Sequence, residues 1–182
     1  MLVIHPKDKT TNMLSALYKG VEHTHIDQSF SRREICHILN HTPSRERILL
    51  LGHGSERGLF SREDDSCALF DRLVISHQHA YYLRKHGSNI VAVWCKANEF
   101  AEAETLHGLF SGMIITEMSE ALQYGIKTSQ KELDEENVKL ARRLRSLLDA
   151  DITLYDLPSR IQELDDSHSA LTEFNYKNFY YL

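Results

Sequence analysis

Short apolar runs alternate with amphipathic stretches along most of this chain. The pattern predicts strands over residues 2–4, 21–26, 48–51, 89–94 and 112–116, separated by helices over 11–19, 32–39, 76–85 and 99–109. The run at 48–51, Ile-Leu-Leu-Leu, is too short for a helix and has the composition of a strand buried on both faces. Local signals mark several ends. Gly20 and Gly87 stop the helices before them, and Ser31 with Glu34 three residues on forms a capping box. Residues 58–60, 68–70 and 73–75 are short apolar pieces around a polar turn, which suggests a small hairpin beside the sheet. The clearest helix begins at Thr128 or Ser129, where Leu133, Asn137, Leu140, Ala141, Leu144, Leu147 and Leu148 recur at a 3.6-residue period. Residues 152–155 read as a last strand or an extended linker. Strand, helix, strand, helix, strand is the order of a parallel sheet with right-handed crossovers.

The fold class expected is therefore α/β, a three-layer α/β/α sandwich around a mostly parallel sheet of flavodoxin-like type. Its domain spans residues 1–157. Residues 158–182 form a C-terminal extension, polar and then aromatic (Phe174, Tyr176, Phe179, Tyr180, Tyr181), that packs on the domain or on a partner.

Composition narrows the function classes. The 182 residues suit one domain, and a net charge of −5 without a Lys/Arg stripe speaks against nucleic-acid binding. No apolar run approaches the length of a membrane span, and the start MLVIHPKDK lacks the positive region of a signal peptide. Three cysteines, Cys36, Cys67 and Cys95, lack metal-ligand spacing, so free thiols in a reducing, cytoplasmic setting are expected.

Chemistry concentrates at two strand ends. The 48–51 run stops at Gly52-His53-Gly54, and the 89–94 run stops at Cys95. In open α/β sheets, ligands collect beyond the carboxyl ends of the strands. Adjacent parallel strands would deliver an imidazole and a thiol to one edge, and the glycines would let the backbone turn sharply and approach a substrate. A thiol needs a base to become a nucleophile, and histidine is the usual one. The backbone N–H groups of Gly54 and Cys95 are candidate oxyanion donors. Ser55, Glu56, Lys96 and Glu117 follow these strand ends or the next one and are candidates for lining the cleft. Eleven histidines include the pairs His23/His25, His37/His41 and His77/His79. None brings a third ligand into register, so neither a metal nor a cofactor is expected.

The order of these features resembles the caspase-like cysteine peptidases, the group of caspases, metacaspases, legumain, gingipains and separase. The matching residues are His53-Gly54 after one apolar strand, a hairpin and a helix, and Cys95 after the next apolar strand; the match covers about residues 1–116. The resemblance implies a caspase-like fold, His53 as base, Cys95 as nucleophile and the Gly54 amide as an oxyanion donor. Cys95 is followed by Lys96-Ala97-Asn98, unlike the small or glycine-containing sequence usual in caspases, and the chain after Thr116 is short for a full specificity half. A second reading is a non-catalytic α/β protein that holds a peptide or small molecule in the same cleft. A third is a homo-oligomer formed through the aromatic tail.

Overall fold

The computed structural model describes residues 1–62, 70, 72–150 and 152–182. Its centre is a six-stranded, mostly parallel sheet built from β1 (Leu2–Ile4), β2 (Thr24–Ile26), β3 (Ile48–Leu51), β7 (Ile90–Val93), β8 (Gly108–Ser111) and β9 (Phe179–Tyr181). The strand order is β2-β1-β3-β7-β8-β9, parallel throughout except that β9 runs antiparallel to β8. A second, antiparallel sheet of β4 (His53–Ser55), β5 (Gly58–Ser61) and β6 (Arg72–Ile75) follows β3 directly.

The four residues of β3 and of β7 are all buried, as runs without alternation require of a sheet covered on both faces. Their side chains divide by parity. Ile48, Leu50, Ile90 and Ala92 join a cluster with α1 (Arg32–His41), α2 (His77–Leu83) and α3 (Ala97–Glu104). Leu49, Leu51, Val91 and Val93 join another with a 3₁₀ helix (Asn12–Leu17), α5 (Gln130–Asp149), α6 (Leu157–Glu163) and α7 (Ala170–Lys177).

The elements with strong local signals lie where expected. Ser31 and Glu34 form both bonds of the capping box at the start of α1. Ser129 caps α5 by accepting from Glu132 N, and the helix buries Leu133, Asn137, Leu140, Ala141, Leu144 and Leu147.

Other boundaries differ from the sequence reading. The first helix is a 3₁₀ turn over six residues rather than an α-helix over 11–19; its two buried residues, Leu14 and Leu17, are three apart, which suits three residues per turn. The helix expected over 99–109 ends at Glu104, where Thr105 takes a left-handed φ of 53°. The strand expected over 112–116 lies instead at 108–111. Gly108 sets that register: its φ is 148°, and a Cβ there would stand 2.4 Å from Ile90 O of the neighbouring strand. Residues 53–55 form a strand rather than only a turn, α4 (Met118–Gln123) has no counterpart among the expected elements, and residues 152–155 form no strand. The segment from 158 onward folds into α6, α7 and β9. Tyr176 and Phe179 are buried, while Tyr180 is exposed. Of the apolar piece at 68–70 only Phe70 is among the described residues; Cys67 lies outside them. No helix among the described residues is long and apolar enough to cross a membrane.

Candidate functional site

Strand register carries His53 and Cys95 to the same edge of the sheet. Leu51 of β3 pairs with Val93 of β7, and His53 and Cys95 each follow two residues later. Gly52 makes the bend between β3 and β4 with a φ of 142°, and its N–H donates to Val93 O at 3.1 Å. The next glycine serves packing. A Cβ on Gly54 would lie 2.1 Å from Trp94 Cδ1, so the indole rests on bare backbone; its Nε1–H donates to Ser55 O at 3.1 Å. Close approach at Gly54 is thus made by Trp94. Ser111 holds the other side of Trp94, accepting from its N–H at 3.0 Å and donating to its carbonyl at 2.8 Å. On the other side of Cys95, Lys96 N–H donates to Gly112 O at 3.2 Å, so the backbone is held on both flanks.

The His53 side of the site falls where the strand order reverses. From β1 the chain passes to β2 on one side and then to β3 on the other, which opens a crevice at the carboxyl ends of β1 and β3. The exit loop of β1 supplies residues that no sequence pattern marks. The Thr10 hydroxyl lies 2.6 Å from His53 Nε2 and 2.6 Å from Asp8 Oδ1; Asp8 Oδ1 is itself 3.5 Å from Nε2. Arg62 binds the other Asp8 oxygen. Burial acts to raise the Asp8 carboxyl, but hydrogen bonds from Arg62 and Thr10 outweigh it and hold the group down at about 2. An ionised carboxylate only accepts, so Thr10 donates to Asp8 and its oxygen receives the Nε2–H of His53. That tautomer leaves Nδ1 as the proton-accepting nitrogen. The Phe70 ring lies against the imidazole at 4.7 Å between centroids, and His53 is only 11% exposed.

Cys95 rests in a different state. Its thiol donates to Ile114 O at 3.8 Å rather than to the imidazole. Burial, with Glu120 and Glu117 adding negative charge nearby, pushes it up to about 11. His53 and Cys95 line one small cavity of about 20 Å³, room for about one water, walled by Met13, Val93, Ile114, Leu140 and Leu144 among others. In this state Cys95 is partly buried and its thiol holds its proton more tightly than a free cysteine.

The remaining candidates, Ser55, Glu56, Lys96 and Glu117, are not among the residues that line this cavity. Glu117 stands on an open groove of about 610 Å³ that shares Met13, Thr116 and Asn137 with the cavity wall. Glu56 borders a separate hollow by α2 and α3, on the hairpin side. Lys96 is half exposed and pairs with Glu56 at 3.8 Å and Glu99 at 3.5 Å. The Ser55 hydroxyl accepts from Arg57 N at 3.0 Å, which closes the β4–β5 turn. Among the described residues no three His, Cys, Asp or Glu side chains converge as metal ligands; His37 and His41 simply stack at 4.2 Å on α1. Asn137 does carry a sequence signal, a polar residue in the buried stripe of α5. Asp8 and Thr10 carry none, because their link to His53 spans more than forty residues.

In comparison with known proteins the chain matches no family model, no curated protein and no solved structure.

Proposed function

We propose that the chain is a caspase-like cysteine hydrolase, a peptidase, in which Cys95 attacks a carbonyl carbon and His53 carries the proton. The observation behind this reading is the matched delivery of the two side chains, two residues past paired positions of adjacent parallel strands and onto one cavity. The strand order with an antiparallel last strand, the small antiparallel sheet directly after β3, and core residues divided between two helix-covered faces fit a three-layer caspase-like sandwich.

The chemistry follows from the hydrogen bonds. His53 Nδ1 takes the thiol proton, and the imidazolium that forms is stabilised through Nε2–H, Thr10 and the ionised Asp8. The thiolate adds to the peptide carbonyl, backbone N–H groups at Gly54 and Cys95 hold the oxyanion, and the amine leaves with the proton from His53. Water then hydrolyses the thioester. Because the resting thiol donates to Ile114 O, its engagement with His53 belongs to the substrate-bound state.

Incubation with a diverse peptide library, read by mass spectrometry, tests the reading. Cleavage by the wild type, lost at least a hundredfold in both Cys95→Ala and His53→Ala, is the expected outcome. Cleavage that survives Cys95→Ala would sink it. The bond of the thiol to Ile114 O, with its raised proton affinity, favours one other reading, a non-catalytic protein that binds a peptide or small molecule at this edge. No cleavage, with ligand affinity unchanged in Cys95→Ala, would identify that protein.

A further inference from the structure

We infer that Asn137 is a specificity residue of this site, receiving the protonated side chain of a lysine or arginine in a peptide on its unpaired amide oxygen; the inference builds on the proposed hydrolase site. Asn137 is 4% exposed, and its Oδ1 is buried with no hydrogen-bond partner among the described residues. An orphaned buried acceptor costs stability, and a leucine in the same stripe of α5 would avoid that cost. The location gives the cost a use. Asn137 lies in the wall between the cavity of Cys95 and the 610 Å³ groove, beside Thr116 and Met13. Met13 is unbranched and partly exposed, so its side chain can swing aside for an incoming group.

The groove sets the ligand's charge. Its described lining holds two carboxylates, Glu117 and Asp134, against one cation, Lys9. Glu120 lies directly behind, accepting from the Thr116 hydroxyl at 3.2 Å and from the backbone N–H groups of Thr116 and Glu117. A ligand side chain that donates N–H bonds and carries positive charge satisfies Asn137 and the acidic wall together.

Calorimetry on the Cys95→Ala protein, with capped tetrapeptides differing only in lysine, arginine or norleucine at one position, tests this without needing catalysis. Lysine and arginine peptides should bind at least tenfold more tightly than norleucine. That gap should fall below threefold in Asn137→Leu and Asn137→Ala, while removal of the orphaned oxygen in Asn137→Leu keeps or raises Tm. Should the Asn137 variants fail to fold, the double change Glu117→Gln with Asp134→Asn should still cut the gap at least threefold. Equal affinity for norleucine and lysine, an unchanged gap in the folded variants, or no binding at all would overturn the inference. Lysine-selective binding without cleavage by the wild type sinks the hydrolase and leaves the subsite standing.

Discussion

At the scale of single residues, the site rests on partners that share no local pattern. Gly54 is glycine because an indole occupies the place of its side chain. Gly54→Ala should lower stability by about 3 kcal/mol in thermal unfolding, and shift the emission of Trp94 as the Ser55 bond breaks. Asp8 owes its low proton affinity to Arg62 and Thr10. Its stabilising effect is fully present above about pH 4 and is lost as pH falls through about 2. In Arg62→Met, an NMR titration should find the Asp8 carboxyl shifted back up toward the usual carboxylate range. His53 and Cys95 stand out in the amino-acid order alone, since each follows closely on a buried run. The relay of Asp8 and Thr10 is not, because a loop beside β1 carries no periodicity and meets His53 only once the strand order is set.

Among the elements, legibility follows the range of the forces that define each one. α1 and α5 are fixed by caps and by 3.6-residue periodicity, both contained within a few turns of chain. Ser31→Ala should cost about 1 kcal/mol in chemical denaturation through loss of its capping bond. The apolar pattern misplaces β8 because the register of that strand depends on the Gly108–Ile90 approach, which no single-chain pattern encodes. β9 is hidden among tail aromatics for the same reason: its partner strand lies about seventy residues earlier. Asn175 shows what such distant pairing demands. It accepts from Ile115 N at 2.8 Å and donates to Ile115 O at 3.1 Å, and so pins α7 to the stretch that walls the cavity. Asn175→Ala would strand both backbone groups in the interior. A loss of about 3 kcal/mol, with faster amide exchange over residues 114–116, is the expected result.

For the whole molecule, buried neutral histidines couple stability to pH. Burial brings His5 down to about 4 and also lowers His79 and His86. Below about pH 6.5 the unfolded chain takes up protons at these positions more readily than the folded chain, so stability falls as pH drops, for His5 across the window from about 6.5 to 4. His5 alone accounts for on the order of 3 kcal/mol across that window. Denaturation midpoints measured at pH 7, 5.5 and 4.5 should decline in that order, and His5→Gln should flatten the slope.

The pairing of β8 with β9 has a consequence for how the chain is made. β8 has no neighbour on its outer side until β9 arrives, and Gly108 and Leu182 exchange backbone bonds at 3.0 Å in each direction to close the pair. At translation rates of about 5–20 residues per second, that edge is bare on the ribosome for roughly 3–15 s. Throughout this interval nascent chains on one polysome present the same open ladder to each other, while the aromatic strand that will cover it is still being synthesised.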